Sequence, residues 1–461
     1  MLGRLRPIQR LQQYVPEDPF EASTMPPIYL NLGCADHPRQ GFINIDLDAA
    51  GADLQWAPGQ ALPWETGALA GIYSACFLQR LGRNQAIRLL HECRRALQPG
   101  GVIRLVCTDL NALIDDYLCN RSYPEAPGIG RGERLNIALR QHAWTFDAEE
   151  LTRICTMVGL EPVALSEAGT SCDPHLSGLD APLPGQLVLE FRKTERQLAE
   201  NAQPLVSIVM PTYKTEHLYD ALGSALNQTY RNLEILVCDD CPTDEIERIC
   251  ADLSQHDPRV RYVRNPDAGK DIGRLNHVLC LKEARGEFIK FLNDDDVLDL
   301  ECVERMLDSF RRYPDVTLVT SKRQRIDQHG EPLADIAATQ APVADDSLIE
   351  GLSLGTALMQ SQLNFVGEPS TVMFRRADML GITPDFMSVD QQPIAWASDV
   401  AIFLNLALRG NTVYLIRPLS SFRIHGEQCQ VLYGAAAQGE SRRCWAIMRD
   451  FWARHEFDKA I

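Results

Sequence analysis

The sequence predicts an α/β protein with two consecutive domains, each built on a largely parallel sheet. Apolar runs of strand length alternate with helix-period segments along most of the chain, a pattern typical of βαβ units. A polar stretch at residues 192–204 divides these elements into two series. The length of 461 residues also favours more than one domain, at roughly 100 to 200 residues each.

The composition excludes several classes of protein. Hydrophobic residues make up 45% and charged residues 23% of the chain, which excludes collagenous, coiled-coil and wholly disordered proteins. The net charge of −17 argues against a nucleic-acid partner. An anionic substrate would need a local positive group, such as a metal ion. The 14 cysteines have no repeated spacing, so we expect reduced thiols.

The N-terminal residues predict neither a signal peptide nor a membrane anchor. Arg4, Arg6 and Arg10 are not followed by an apolar segment of the kind that a signal peptide carries. No apolar run approaches the ~20 residues that span a bilayer. We therefore expect a cytoplasmic protein, and peripheral contact with the inner face of the membrane stays open as an alternative.

Residues 28–193 form the first predicted domain, after a proline-rich tail at residues 1–27. Its clearest helix covers residues 87–97 and ends at Pro99-Gly100-Gly101, a strong stop signal. The apolar run 102–106 is typical of a strand that is buried on both faces. Further strands are predicted at 28–32, 42–46, 72–74 and 186–191, and a further helix at 147–158.

Residues 194–203 are predicted to be a linker, residues 204–430 the second domain and residues 431–461 a C-terminal helical extension. Residues 335–365 carry little periodic pattern, so no element is predicted there. Strands are predicted at 205–210, 233–238, 260–263 and 288–292, and helices at 218–226, 246–253 and 303–310.

An acidic run, Asn293–Asp296, directly follows the predicted strand 288–292. Adjacent carboxylates repel one another, and a divalent cation with oxygen ligands would relieve the repulsion and bind substrate phosphates. A solvated acidic turn is the simpler alternative. The ends of two other predicted strands also carry polar residues, at 211–213 and 239–240. Because ligands bind at the carboxyl ends of parallel strands, these positions together favour a binding crevice.

Five segments of the second domain occur in an informative order. They are Val206–Tyr213, Ile235–Asp240, Gly286–Asp296, Ala397–Asp399 with the apolar helix that follows it, and Phe422–His425. They resemble, in turn, the nucleotide-binding turn, the paired aspartates, the metal-binding strand, the catalytic-base segment and a late Arg-x-His element of the family-two glycosyltransferases, which have the GT-A fold. The resemblance covers about half of the chain, and it implies a GT-A domain behind a first Rossmann-like domain.

The resemblance implies a donor-binding role for several residues. Pro211, Thr212 and Tyr213 would form the nucleotide turn, with the Tyr213 ring stacked on the base. Asp240 would accept a hydrogen bond from the base imide, which favours a uracil or thymine nucleotide. Asp294 would lie near the ribose or the metal.

The metal and the diphosphate would be held by other residues of the same motifs. Asp295 would be the main ligand of the metal, and Asn293 stands where an aspartate is common. His425 would complete the metal or diphosphate shell, with a structural role as the alternative. Arg274, or Lys270 nearby, would contact the diphosphate.

Asp399 is implied to be the general base, which takes the proton of an acceptor hydroxyl. An N-cap role for the helix that follows is the alternative. A single displacement would invert the anomeric centre and would need no second nucleophile. The segment Gly367–Ser370 is interpreted as a plain turn, with shaping of the acceptor side as the alternative.

The first domain has its own motifs, in Leu30–Ala35, Ile43–Asp46 and Leu97–Gly101. They resemble class I S-adenosylmethionine-dependent methyltransferases, in which Gly33 would allow close approach of the cofactor and Asp46 would bind its ribose. Ala35 stands where a further glycine is usual, and residues 78–81 replace a common acidic-histidine element. A degenerate domain for docking or assembly is the alternative.

Together these observations predict an inverting glycosyltransferase that depends on Mn²⁺ or Mg²⁺. It would move a sugar from a nucleotide-diphosphate donor, with UDP or dTDP favoured, to a glycan or lipid-linked acceptor. Two alternatives stay open: a bifunctional enzyme that also methylates the glycan with S-adenosylmethionine, and a non-catalytic scaffold of two degenerate Rossmann-like domains.

Overall fold

The structure is a computed structural model, and the chain divides into two compact units. The first unit comprises Pro16–Arg196 with Lys459–Ile461, and the second comprises Gln197–Asp458 with Met1–Val15. Both contain mixed α/β sheets, so the predicted fold class is confirmed. The described residues are 9–10, 26–34, 37–48, 51–58, 60–119, 130–163, 167–194, 198–199, 201–269, 273–380, 382, 384–426, 428, 434–455 and 457.

Strands and helices are numbered in chain order, and β1 (Gln9–Arg10) belongs to the second unit. The strands of the first unit are β2 (Ile28–Leu32), β3 (Ile43–Asp46), β4 (Leu54–Gln55), β5 (Leu69–Ala75), β6 (Leu97–Thr108), β7 (Leu160–Pro162) and β8 (Gln186–Lys193). Its helices are α1 (Arg83–Ala96), α2 (Leu110–Cys119), α3 (Arg131–Arg140) and α4 (Ala148–Met157).

The sheet of the first unit has the order β4–β3–β2–β5–β6–β8–β7. The first five of these strands run parallel, and β8 lies antiparallel to both β6 and β7. The parallel part follows the Rossmann order, with its topological switch point between β2 and β5. The predicted strand at 28–32 and the helix at 147–158 are confirmed, the latter as Ala148–Met157.

The second unit contains a larger sheet, whose order is β1–β16–β20–β14–β17–β12–β9–β10–β11. Its strands are β9 (Val206–Thr212), β10 (Leu233–Asp239), β11 (Val260–Arg264), β12 (Phe288–Phe291), β13 (Val297–Leu298), β14 (Val316–Ile326), β15 (Pro332–Leu333), β16 (Ser347–Ile349), β17 (Val372–Arg375) and β20 (Asn411–Arg423). A separate hairpin pairs β18 (Ser388–Val389) with β19 (Gln392–Pro393). The helices are α5 (Leu218–Leu226), α6 (Glu245–His256), α7 (Arg274–Glu283), α8 (Cys302–Arg312), α9 (Gly351–Ser361), α10 (Ser398–Ala407) and α11 (Gly434–Arg454).

Strand β1 pairs with β16 at one edge of this sheet, although the sequence predicted a tail at residues 1–27. An edge strand leaves backbone donors and acceptors unpaired, and a short extended segment satisfies them without needing a strong sequence signal. The two residues thus become part of a sheet that is otherwise formed by residues from 206 onward.

The directions of the strands bring several strand ends to one edge of the sheet. β10, β9 and β12 run parallel to one another. β17 is antiparallel to both β12 and β14, so β14 and β12 share a direction, and β20 runs parallel to β14. Thr212, Asp239, Phe291 and Arg423 therefore all end strands at the same edge.

Burial explains why these strands form. β9, β10 and β12 are buried along almost their whole length, as expected for parallel strands covered on both faces. Helix α8 packs one face into the core, as its spacing predicted, through Val303, Met306, Leu307 and Phe310.

Helices α9 and α11 pack together through a glycine. A Cβ atom on Gly355 would lie 2.2 Å from Cη2 of Trp452, so the indole fills the space that the missing side chain leaves. Trp452 Nε1 donates a hydrogen bond to Thr356 Oγ1 over 3.1 Å. Helix α9 lies within residues 335–365, where the sequence analysis predicted no element.

Among the helices that the structure describes, none combines the length and the apolar character that crossing a bilayer requires.

Candidate functional site

The acidic run forms the turn between β12 and β13, at the edge where the strands end. Asp294 Oδ2 accepts hydrogen bonds from the backbone N–H groups of Tyr213 at 2.7 Å and Lys214 at 2.8 Å. This carboxylate therefore holds the turn that follows β9. Burial and the neighbouring Asp295 raise the pKa of Asp294 to about 6.

Asp295 and His425 meet across the sheet edge. His425 Nε2 lies 3.0 Å from Asp295 Oδ2, and both side chains are largely buried. Arg423 braces the same turn, since its Nε donates to the backbone carbonyl of Asp295 at 2.8 Å and its Nη2 lies 3.0 Å from Asp220 Oδ2.

The ligand atoms of Glu216, His217 and His425 lie within 4.8 Å of one another. The rings of His217 and His425 are 5.4 Å apart between centroids. Nε2 of His217 is buried without a hydrogen-bond partner in the described part of the chain. Burial, and the positive charge of Arg423, lower the pKa of His217, which keeps its imidazole neutral and able to bind a metal. The sequence analysis missed Glu216 and His217.

Asp296 and Lys290 support the acidic turn from inside the protein. Asp296 is fully buried, and its carboxylate accepts from the backbone N–H of Arg423 at 3.1 Å and from Asn293 Nδ2 at 3.2 Å. Burial, reinforced by Asp295, raises the pKa of Asp296 well above its usual range. Lys290 Nζ donates to the backbone carbonyl of Ser370, whose hydroxyl accepts from the Asn293 N–H. Asp296 is thus a structural acid.

At the end of β9, the ring of Tyr213 is exposed and the hydroxyl of Thr212 is buried. The Tyr213 side chain is 52% exposed, whereas Thr212 is fully buried and its Oγ1 donates to the carbonyl of Met210. Pro211 lies within β9 and pairs with Cys238 of β10. Among the three residues predicted for the nucleotide turn, Tyr213 is therefore the most exposed, Pro211 is partly buried and Thr212 is buried.

The paired aspartates after β10 differ in their surroundings. Asp239 is fully buried, where it accepts from Tyr262 Oη at 2.7 Å and pairs with Arg264. Asp240 is 6% exposed, and its Oδ1 accepts from Asn265 Nδ2 at 3.1 Å and from the N–H of Gly269 at 3.2 Å. Asp239 therefore anchors the strand end, and Asp240 is the acid held beside the loop at 265–269.

Arg274 begins helix α7 and forms an ion pair with Asp385. To contact a diphosphate, the guanidinium of Arg274 would have to bind it while remaining paired with the Asp385 carboxylate. Lys270, the other residue considered for this contact, lies outside the described residues.

Asp399 lies in the first turn of α10, one residue after the helix begins. The N-cap position belongs to Ala397, which has a left-handed φ of 55°, so the alternative of Asp399 as the N-cap does not hold. Asp399 Oδ2 accepts from Asn364 Nδ2 at 2.6 Å, and Oδ1 accepts from the Val400 N–H at 3.0 Å. Burial and the nearby Glu368 raise the pKa of Asp399 to about 7.

Glu368 connects Asp399 with the acidic turn. Both Glu368 and Asp399 line a cavity of about 960 Å³. Glu368 Oε2 lies 2.8 Å from Arg323 Nε. Burial raises the pKa of Glu368, and the charge of Asp295 adds to the rise. The turn that carries Glu368 also contacts the acidic run, since Ser370 Oγ accepts from the Asn293 N–H at 2.9 Å. The sequence analysis interpreted this segment as a plain turn.

In the first unit, Gly33 and Asp46 lie at the ends of the adjacent strands β2 and β3. Gly33 has a φ of +79°, and a Cβ atom there would lie 2.5 Å from Cβ of Phe77. Asp46 is 1% exposed, and its Oδ1 accepts from Arg80 Nη1 and from the Leu47 N–H. The acid predicted to bind a ribose is thus ion-paired and covered.

Comparison with known proteins locates the similarity in the second unit. The sequence model described as "Glycosyl transferase family 2" matches residues 207–377. Chondroitin synthase of Escherichia coli is 35% identical over 148 residues, which is 32% of this chain and 21% of that protein. The UDP-Glc:alpha-D-GlcNAc-diphosphoundecaprenol beta-1,3-glucosyltransferase WfgD of Escherichia coli is 43% identical over 94 residues, 20% of this chain and 36% of that protein.

A solved structure of S. aureus TarS 1-349 in complex with UDP aligns with a TM-score of 0.38 and 16% identity, covering 53% of this chain and 65% of TarS. The matches to the curated relatives span well under two thirds of those proteins' lengths. The family match covers the parallel strands, the paired aspartates and the acidic turn. Residues 207–377 are therefore a glycosyl transferase family 2 domain.

Proposed function

We propose that the second unit transfers a sugar, with inversion, from a nucleotide-diphosphate donor to a glycan or lipid-linked acceptor. The observation that carries the proposal is the position of the turn at Glu368 and Ser370. Glu368 lines a cavity with Asp399, and Ser370 Oγ accepts a hydrogen bond from the Asn293 N–H of the acidic run at 2.9 Å. A donor site at the acidic turn and an acceptor site at Asp399 would then be two ends of one crevice.

The side chains near the acidic turn offer ligand atoms that suit a divalent cation. Carboxylate oxygens and neutral imidazoles are its common ligands, and the orphaned Nε2 of His217 is an atom that a cation would satisfy. Asp295 and His425 would hold the ion, with Glu216 and His217 as further ligands. When bound, Mn²⁺ or Mg²⁺ would stabilise the charge on the leaving nucleoside diphosphate.

The nucleotide would lie against the ends of β9 and β10. Tyr213 is the exposed ring on which the base would stack, and Asp240 would accept the imide proton of uracil or thymine. A UDP- or dTDP-linked donor is therefore favoured. Asp294 would act by holding the turn of Tyr213 in place, and Arg274 would contact the diphosphate next to its pairing with Asp385.

Asp399 would take the proton from the acceptor hydroxyl as that oxygen attacks the anomeric carbon. Its pKa of about 7 is close to that expected of a general base at neutral pH. A single attack from the face opposite the leaving group inverts the anomeric centre, and no covalent sugar intermediate is required.

The relatives support the acceptor class. One is named for a diphosphoundecaprenol-linked acceptor and another for chondroitin synthesis, so a lipid-linked or polymeric glycan is the acceptor class that we favour. We place the reaction in the cytoplasm, with peripheral contact at the inner face of the membrane if the acceptor is lipid-linked.

For the first unit we propose a methyltransferase-like Rossmann domain without methyl transfer. Its strand order and the glycine turn support the fold assignment. S-Adenosylmethionine does not fit the site as it stands, because Arg80 already pairs with the buried Asp46. A docking or assembly role accounts better for this domain than the bifunctional alternative, and calorimetry with millimolar S-adenosylmethionine tests it: heat of binding would contradict the proposal.

UDP binding tests the central proposal. We expect calorimetry to show that UDP binds in the presence of Mn²⁺ or Mg²⁺. Binding should be weak in EDTA and should be lost in Asp295→Ala. Asp399→Asn should bind UDP normally and release no UDP from a donor with acceptor present. Metal-independent or absent binding would favour the scaffold alternative. If UDP binds as expected, a screen of nucleotide sugars by donor hydrolysis would identify the sugar.

A further inference from the structure

The cavity beside Asp399 has a wall contributed by helix α11, which lies outside the family match. Gln438, Ser441, Arg442 and Trp445 of this helix line the cavity. Their spacing of three and four residues places them on one face of the helix. Asp399 and Trp396 line the same cavity. The cavity is therefore lined both by the proposed base and by a helix face that the catalytic motifs do not explain.

The charges that line this cavity are unlike those of the whole chain. The chain has a net charge of −17, yet the cavity is lined by three arginines and two carboxylates. Arg323 is ion-paired with Glu368. Asp399 is the proposed base, which leaves Arg325 and Arg442 as the positive groups to be explained.

These two arginines have no carboxylate partner within 4.0 Å among the described side chains. Arg325 Nη1 donates to the backbone carbonyl of Ala334 at 2.6 Å, which fixes the guanidinium without neutralising it. Arg442 is exposed on α11. A guanidinium presents several N–H donors in one plane and binds a phosphate or a carboxylate with two hydrogen bonds.

The aromatic residues complete the chemistry of the cavity. Trp396 and Trp445 are both half-buried there and provide broad faces with a single polar atom each. The C–H face of a sugar ring packs on such a surface, and the hydroxyls of the ring remain free for the polar lining. Tryptophan faces, unneutralised arginines and a base in one cavity suit a charged saccharide better than a neutral one.

We propose that this cavity binds the acceptor as an anionic saccharide, with a sugar ring against Trp396 and Trp445 and a phosphate or carboxylate group held by Arg325 and Arg442. The inference rests on the proposed transfer reaction and specifies its acceptor class. The anionic group would belong either to the diphosphate of a lipid-linked sugar or to a uronate residue.

Matched pairs of probes test the proposal and separate the two sources. Octyl β-D-glucuronide is compared with octyl β-D-glucoside, and farnesyl-diphosphoryl-N-acetylglucosamine with farnesyl β-D-N-acetylglucosaminide, by calorimetry on the full chain. We expect one anionic probe to bind at least about tenfold more tightly than its neutral partner, since hydrogen bonds to charged groups are stronger than those between neutral groups. That preference should shrink between 50 and 500 mM salt, as is usual for exposed charges at roughly these ionic strengths.

Variants of the same helix provide the control. Arg442→Gln should remove most of the preference for the anionic probe and leave the neutral probe unchanged, and Arg325→Gln should act in the same direction. Arg443→Gln is the matched control, because Arg443 is exposed on α11 and faces Glu440 at 3.7 Å. Equal binding of each anionic and neutral pair, or no effect of Arg442→Gln, overturns the inference. Metal-dependent UDP binding, measured on the same samples, shows whether the proposed function itself has failed.

Discussion

Asn364 donates a hydrogen bond from Nδ2 to Oδ2 of Asp399 over 2.6 Å. The same side chain accepts from the Gly367 N–H and donates to the Gly367 carbonyl, so it ties the carboxylate to the turn that carries Glu368. Asp399 is therefore oriented by a neutral donor. Two effects on its pKa oppose each other, because burial disfavours the charged form and the hydrogen bond from Asn364 favours it.

This arrangement predicts the pH dependence of transfer. A general base works in its ionised form, so with a pKa of about 7 the rate should fall about tenfold per pH unit below 7. Asn364→Ala removes a donor to the ionised carboxylate, so it should raise the pKa of Asp399 and move the acid limb of the kcat profile to higher pH. Asn227→Ala, at an exposed asparagine of the same unit, is the control. An unchanged acid limb in Asn364→Ala would mean that another group titrates in the reaction.

His217 is expected to affect metal binding more than folding. His217→Ala should weaken binding of Mn²⁺ alone by about tenfold, and the loss should be larger for Mn²⁺ than for Mg²⁺, because imidazole ligands favour transition metals. Electron paramagnetic resonance of free Mn²⁺ and calorimetry of Mg²⁺ measure the two affinities. His256→Ala, an exposed histidine near the end of α6, should bind both ions as the wild type does. Identical Mn²⁺ affinity in His217→Ala would exclude this residue from the ligand set.

The ionised carboxylate of Asp294 is expected to lower the free energy of unfolding, although it holds the turn at Tyr213 and Lys214. Its folded pKa lies above the ordinary value, so the unfolded chain ionises first and stability falls as pH rises from about 4 to about 6. Asp294→Asn keeps an oxygen for the Tyr213 and Lys214 N–H groups but removes the charge. In EDTA, the Tm at pH 8 should therefore rise and the Tm at pH 4 should stay the same, while metal-dependent UDP binding weakens.

Thermal unfolding at two pH values, with Asp252→Asn at an exposed site as the control, checks this prediction. A lower Tm at pH 8 would indicate that the hydrogen bonds outweigh the charge repulsion at this turn.

Gly33 and Gly41 separate backbone strain from steric clash in the first unit. Both have positive φ, +79° and +84°, but only the Cβ of an alanine at 33 would meet another group, the Phe77 side chain at 2.5 Å. Gly41→Ala should lower the free energy of unfolding by about 1 to 2 kcal/mol, the usual cost of a left-handed residue. Gly33→Ala should add a further loss of about 1 to 3 kcal/mol from overpacking. Equal losses in chemical denaturation would show that Phe77 moves aside without cost.

The parallel strands and the acidic turn were predictable because their signals are local. Continuous apolar runs marked β9, β10 and β12, and the carboxylates that follow them had to lie at one edge once the strands were parallel. The same reasoning located Asp294 and Asp295. It could not distinguish Asp239 from Asp240, because their difference arises from Tyr262 and Arg264 on the next strand.

The remaining site residues depend on contacts that sequence spacing does not reveal. His217 approaches His425 only because β20 ends at the same edge of the sheet as β9 and pairs with β13 beyond the acidic turn, and no periodic pattern marks that pairing. Helix α9 was missed because it is rich in small residues, which give little periodic signal. One of them, Gly355, allows Trp452 to pack closely against the helix. Glu368 became informative only with Arg323 and Asp399 beside it.

The packing of Trp452 on Gly355 also bears on how chains of this fold diverge. The indole fastens helix α11 at one end, while the face carrying Arg442 and Trp445 borders the cavity. Substitutions along that single face would change the lining of the cavity and leave the ends of β9, β10 and β12 in place. We therefore expect related chains to vary more along this late helix than along the strands.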